Sequence, residues 1–78
     1  MNIRYKTIAW GGFETGKISY GIQAQKEKGQ KFKNTSQEVD GIRRAMIYTS
    51  FERAKSIVVA LNAGETPEMT EGLVPLKA

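Results

Sequence analysis

The chain contains no cysteine and no histidine. Without cysteine, neither disulfide bonds nor thiolate chemistry is available. Without histidine, the chain lacks the commonest metal ligand and the commonest general base. The two absences together exclude Ser-His-Asp and Cys-His catalytic sets, so the sequence predicts a protein that is not an enzyme and needs no cofactor or metal.

Long apolar runs are also missing. No stretch approaches the roughly 18 apolar residues of a transmembrane helix, and the opening residues MNIRYKTIAW contain no apolar run of signal-peptide length. We therefore expect a protein that makes no membrane contact and is cytoplasmic, in the host cytoplasm if a phage encodes it.

The length of 78 residues allows one small domain. A domain of this size buries only about 60% of the surface that its unfolded chain exposes. The apolar fraction of 40% is nevertheless too high for a disordered chain. A homodimer would add to this thin core, and it is one expected state of the protein.

Alternating apolar and polar residues predict a β-hairpin in the first third of the chain. Residues 2–10 and 17–25 both show the period of two that is typical of strands. The segment GGFETG between them is a glycine-rich turn of hairpin length. These residues therefore predict two antiparallel neighbours in one sheet.

A third strand is predicted after a second turn. The turn is KEKG at 26–29, and the short strand covers 30–34. In this strand the alternation points Phe32 toward the core and Lys31 and Lys33 outward.

Residues 35–48 carry conflicting signals. Thr35 and Glu38 match a helix capping box, but the pair Asp40-Gly41 interrupts any helix that begins there. We expect a loop or helical turn over 36–41 and a strand over 42–48. The alternative is a helix over 36–47.

The clearest element is a helix within YTSFERAKSIVVALNAGE. Thr49 is the predicted N-cap with Glu52 completing a capping box, and Gly64 ends the helix. Val59 lies outside the apolar stripe and is expected to be exposed or to face a partner. The stripe itself has helical spacing and consists of Phe51, Ala54, Ile57, Val58 and Leu61.

These elements predict an α+β fold in which a three- or four-stranded antiparallel sheet carries one C-terminal helix on one face. Residues 1–64 form the domain, and 65–78 form a short tail. Within the tail, Thr66, Pro67 and Gly72 have the positions of a single capped helical turn.

The positive charge is unevenly distributed. Residues 1–55 contain eleven Lys or Arg and five acids, a net +6, whereas 56–78 contain one Lys and three Glu, a net −2. The net charge of the whole chain is +4. Such an asymmetry favours a cationic face for nucleic acid, a nucleotide or an acidic protein, and its simpler interpretation is a solvated surface.

Four lysines cluster around the second predicted turn, and Arg43 follows on the next strand. Trp10 and Phe13 are aromatic residues of the hairpin. A platform for single-stranded nucleic acid combines cations, which bind the phosphates, with aromatic rings, on which the bases stack. The alternative is that the lysines shield strand edges. The candidate binding residues are Lys26, Lys28, Lys31, Lys33, Arg43, Trp10 and Phe13.

The order β-β-β-(β)-α over 2–62, with a basic sheet, resembles the PC4-like single-stranded-DNA-binding proteins. This resemblance is one of architecture, and it implies binding of a single strand and dimerisation through the helix. It transfers no functional residue to this chain.

The small cysteine-free domain with its strand-to-helix unit also resembles small phage and prophage proteins, including anti-CRISPR and other counter-defence inhibitors. That resemblance implies a protein that binds and blocks a host protein or protein–nucleic-acid complex, or sequesters a nucleotide. It gives our first hypothesis; a nucleic-acid-binding protein is the second, and a homo-oligomeric structural subunit is the third.

Overall fold

The computed structural model describes residues 3–11 and 18–75, and Phe13 with the predicted turn around it lies outside them. The fold class is confirmed as α+β, since a four-stranded antiparallel sheet packs against one helix. The elements are β1 (Arg4–Trp10), β2 (Ser19–Gln25), β3 (Lys33–Asn34), β4 (Ser36–Val39), β5 (Ile42–Ala45), β6 (Ile47–Tyr48) and α1 (Phe51–Asn62).

Strand β2 is the centre of the main sheet. Strand β1 pairs antiparallel with β2 along the whole length of both strands, which confirms the predicted pairing of the first two strands. The other edge of β2 is shared by two short strands, with Gly21 opposite Ile47 of β6 and Gln23 opposite Asn34 of β3. The chain between β3 and β6 therefore leaves the sheet and returns to it.

A hydrogen-bonded junction at Ile22 holds the chain at the point where it leaves the main sheet after β3. The backbone N–H of Thr35 donates to the Ile22 carbonyl at 3.0 Å, and the Thr35 hydroxyl donates to the same oxygen at 2.9 Å. The Ile22 N–H donates to the Met46 carbonyl, and the Met46 N–H donates to the Thr35 carbonyl. Strands β4 and β5 form a separate two-stranded sheet beyond this junction, here called the arm (residues 36–45).

The predictions of a loop or helical turn at 36–41 and of a helix at 36–47 are both wrong. Asp40 and Gly41 have φ values of +52° and +80°, which is the left-handed pair that a two-residue hairpin turn requires. That turn reverses the chain, so 36–39 becomes a strand. The Thr35 capping box does not form, because its hydroxyl binds Ile22. Strand structure over 42–48 is confirmed, with a break at Met46.

The core lies between the sheet and one face of α1. The predicted stripe supplies Ala54, Ile57 and Val58 to this core, whereas Phe51 is 44% exposed and packs edge-on against the Tyr20 ring. Val59 is 60% exposed. The buried core residues are Ile22, Met46, Tyr48, Ala54, Ile57 and Val58.

The N-terminal cap of α1 is Ser50, one residue later than predicted. Its hydroxyl accepts a hydrogen bond from the Arg53 N–H, and the Thr49 N–H donates instead to the Gly72 carbonyl. The C-terminal prediction is confirmed, since Gly64 has a φ of +83° and the Glu65 N–H closes the helix onto the Ala60 carbonyl. No helix in the described part of the chain has the length and apolarity needed to cross a bilayer.

The expectation that Phe32 faces the core is wrong. Ile22 is buried toward α1, so the alternation of β2 places Gln23 on the opposite face. The Gln23 side chain donates to the side chain of its partner Asn34. Phe32 precedes Asn34 by two positions, so strand alternation places it on the same face as Asn34. The Phe32 ring lies 4.3 Å from the Lys6 ammonium and is only half-buried.

The last residue of α1 pairs with the outer edge of β1. The Asn62 side-chain oxygen accepts from the Tyr5 N–H at 2.9 Å, and its amide nitrogen donates to the Tyr5 carbonyl at 3.1 Å. A neighbouring strand would satisfy the same two backbone groups. The side chain therefore stands in for a strand at this point.

The expected helical turn in the tail does not form. Residues 65–75, here called the strap, contain no helix and lie against the sheet and the arm. The Val74 N–H donates to the Ile47 carbonyl, and Leu73 forms a bridge with Tyr48. The Arg44 guanidinium of the arm donates to the Val74 carbonyl.

Arg53 joins the strap to α1. Its guanidinium donates to the Glu71 carbonyl at 2.9 Å and to the Glu68 carbonyl at 2.7 Å, and it forms an ion pair of 3.0 Å with the Glu68 carboxylate. The buried Tyr48 hydroxyl donates to the Met69 carbonyl, and burial raises the pKa of Tyr48 to about 12. One helical arginine and one core tyrosine thus fix the strap.

The Glu68 carboxylate makes the strap sensitive to acid. The Thr70 hydroxyl, the Thr70 and Glu71 N–H groups and the Arg53 charge together lower the pKa of Glu68 to about 2. Because this pKa is depressed on folding, the stabilisation is present above the usual value of 4.5 and is lost as the pH falls toward 2. We expect the urea midpoint to fall over this interval.

Glu68→Gln should remove much of that pH dependence, as measured by urea unfolding at several pH values. Glu65→Gln is the matched control, because the Glu65 carboxylate accepts none of these hydrogen bonds. Equal pH dependence in the wild type and in Glu68→Gln would contradict the role assigned to Glu68.

Candidate functional site

Four of the predicted cations meet in one groove, here called the basic groove. It has a volume of about 310 Å³ and lies between the turn after β2, strand β3 and the base of the arm. Its cations are Lys26, Lys31, Lys33 and Arg43, and its other lining residues are Ala24, Gln30, Asn34, Thr35 and Ser36.

The turn after β2 and the short β3 position the three lysines. The Gln30 N–H donates to the Glu27 carbonyl, and the Gln25 side chain donates to the Gln30 carbonyl, so the turn folds back on the strand. Lys33 lies opposite Ala24, and Lys31 is two positions before Lys33, so alternation points both side chains the same way. The two side chains therefore lie on one side of the chain.

Arg43 reaches the same groove through the arm. The Asp40-Gly41 turn folds β5 back along β4, which places Arg43 opposite Glu38. Ser36 and Arg43 share one face of the arm, and both line the groove. The arm thus brings Arg43, ten positions further along the chain, to the same groove as Lys33.

The electrostatic character of the basic groove is strongly positive. Among the described residues that line it, none is an aspartate or a glutamate. Glu38 is the nearest acid in the register of the arm, and it forms no ion pair with Arg43. Like charges lining a concave surface raise the local concentration of an oppositely charged ligand.

Neutral donors complete the lining. The Asn34 side-chain oxygen accepts from Gln23, so the Asn34 side chain lies on the face of the sheet opposite Ala24 and Lys33. Ser36 adds an exposed hydroxyl, whereas the Thr35 hydroxyl is already committed to Ile22. The groove can therefore bind a phosphate or carboxylate by charge and hydrogen bonding, and its lining contains no paired general acid and base.

Two of the predicted binding residues lie apart from the basic groove. Lys28 is exposed in the turn but does not line the groove. Trp10 pairs with Ser19, whereas Lys33 pairs with Ala24, and these two positions are about 17 Å apart along β2. Phe13, the remaining predicted residue, lies outside the described part of the chain.

Trp10 packs closely on Gly21 of the neighbouring strand. A β-carbon at position 21 would lie 2.2 Å from the indole nitrogen, so glycine is what lets the ring cover the strand. The indole N–H is enclosed and has no partner among the described atoms. The contact gives Trp10 a packing role and separates it from the lysines.

The neutral lining residues were not predicted from the sequence. Gln30, Asn34 and Ser36 carry no charge and form no motif, so nothing in their spacing indicated a site. The Asp40-Gly41 pair was the one available signal, because a hairpin there brings Arg43 back toward β3.

Other kinds of site find no support in the described residues. Across 3–11 and 18–75, no three carboxylates converge into a group that could hold a metal ion. No protein-family model matches the chain, and no match appears among curated proteins or solved structures. Both resemblances therefore stay predictions.

Proposed function

We propose that this protein is a non-enzymatic interaction protein that binds an anionic macromolecular target through the basic groove. The observation that carries the proposal is the convergence of three lysines and Arg43, from separate elements, on one concave surface whose described lining contains no carboxylate. Binding blocks the target by occupying it, as the counter-defence inhibitors that the chain resembles do. In that role the protein acts in the cytoplasm.

The phosphate backbone of a nucleic acid is the target that this groove fits best. A groove of about 310 Å³ lined by four cations suits a small repeating anionic unit such as a backbone phosphate. Lys and Arg side chains that neutralise phosphates supply most of the sequence-independent affinity for nucleic acids. The polar donors beside the cations add hydrogen bonds to phosphate oxygens.

Fluorescence anisotropy with a labelled single strand of about 20 nucleotides tests the proposal directly, because such a strand exceeds the footprint of one small domain. Neutralisation of four phosphates on a single strand gives an expected slope of about −3 for log affinity against log salt. Titrations between about 50 and 200 mM salt would measure that slope.

A flat salt response, or no binding at the lowest salt, would contradict nucleic-acid binding by the basic groove. Trp10 emission, followed in the same titrations, provides an internal control. Since Trp10 is remote from the groove, its emission should stay constant while the anisotropy rises.

A further inference from the structure

Phe32 presents an aromatic ring on the face of the sheet opposite the basic groove. It lies between Lys31 and Lys33 in the chain, and those two lysines line the groove on the other side. One face of its ring is covered by the Lys6 ammonium at 4.3 Å. An ammonium on a ring is held by a weak electrostatic attraction that another cation or a stacked base can replace.

Two more cations accompany Phe32 on this face. Arg4 and Lys6 stand opposite Gln25 and Gln23 of β2, and strand alternation places them on the side of the sheet that faces away from the core. Phe32, Arg4 and Lys6 also line a broad open groove of about 1050 Å³ at the end of β1. A second surface with two cations and a half-buried aromatic ring therefore adjoins the basic groove across β3 and its preceding turn, although the carboxylate-bearing Glu65 also lines the open groove.

We propose that the protein binds its nucleic acid as a single strand, with phosphates in the basic groove and along Arg4 and Lys6, and with one base stacked on Phe32. The inference rests on the proposed function. A single strand can bend around the end of a sheet, whereas a duplex is stiff over about 150 base pairs and keeps its bases stacked inside. Lys6 then moves from the ring to a phosphate of the same strand.

Stacking on Phe32 can be tested separately from phosphate binding. Phe32→Leu retains an apolar side chain without the ring, and we expect its affinity for the single strand to fall about tenfold. The salt slope should be unchanged, because no charge is altered. Phe51→Leu is the matched control, since Phe51 is also a partly exposed aromatic but lies at the start of α1.

A strand that lacks bases gives a second readout in the wild-type protein. We expect an abasic strand to bind the wild type about tenfold more weakly than the normal strand, and Phe32→Leu to bind both strands equally. Phe32→Tyr, which keeps the ring, should bind like the wild type. The wild-type comparison of the two strands and the Phe32→Tyr variant remain decisive even if Phe32→Leu folds poorly.

The outcomes separate the two proposals. Equal binding of normal and abasic strands by the wild type, or equal competition by a duplex, would overturn the single-strand inference while salt-dependent binding still supported the proposed function. Absence of any salt-dependent binding would overturn both.

Discussion

Neutralising Lys31 and Lys33 together is expected to weaken binding of the single strand about 25-fold at 0.1 M salt, because each neutralised phosphate contributes about 0.7 to the slope of log affinity against log salt. Lys31→Gln/Lys33→Gln removes two of the four cations of the basic groove and leaves a polar, uncharged side chain at each position. The magnitude of the salt slope should fall by about 1.4, which is about 0.7 for each lost phosphate contact. Anisotropy titrations at several salt concentrations measure both quantities.

The matched control for this variant is Lys55→Glu. Both changes take the net charge of +4 down by two, to +2, so any effect of overall charge is the same in the two proteins. Lys55 lies on α1 beside Phe51 and does not line the basic groove. An equal loss of affinity in both variants would show that net charge, and not the groove, determines binding.

Ile57→Ala is expected to destabilise the fold by about 2–5 kcal/mol, the range found when a buried isoleucine is truncated. Ile57 is 1% exposed and belongs to the same buried cluster as Ile22, Met46 and Tyr48. Small domains unfold at a cost of about 5–15 kcal/mol, so the lost packing is a large share of the total. Urea unfolding followed by circular dichroism measures the change.

Val59→Ala is the control for this second prediction. Val59 lies two positions from Ile57 on the same helix and is 60% exposed, so its truncation creates no cavity. We expect its effect on the free energy of unfolding to stay within about 0.5 kcal/mol. Comparable urea midpoints for Ile57→Ala and Val59→Ala would contradict the packing of α1 on the sheet as described here.

The elements that were predicted correctly are those whose signals are local. The pairing of β1 with β2 followed from two alternating segments, and the end of α1 followed from one glycine whose left-handed φ closes the helix. The start of α1 was displaced by one residue because Thr49 and Ser50 are both good caps. A hydrogen bond from Thr49 to Gly72, far along the chain, decides between them.

The arm and the strap show where local signals were insufficient. A capping-box pattern at Thr35 competed with the hairpin turn at Asp40-Gly41, and the junction at Ile22 determines the outcome. The strap has no periodic pattern because its order comes from Arg53 and Tyr48, which belong to other elements. Contacts of this kind are not encoded in neighbouring residues.

The candidate site divides in the same way. The lysines around the turn after β2 are close in the sequence, and three of them line one groove. The separation of Trp10 from them follows from the hairpin register, which places residue 10 beside residue 19 and not beside the turn. The position of Phe32 was missed because the segment before β3 is too short to show which face is buried.

The pairing of Asn62 with Tyr5 has a consequence for self-association. An open strand edge is a template on which another chain can add a strand, and in the described part of the chain no strand pairs with the outer edge of β1. The Asn62 amide occupies the Tyr5 position on that edge. Because Asn62 is the final residue of α1, fraying of the last helical turn would uncover the edge and couple local helix melting to aggregation.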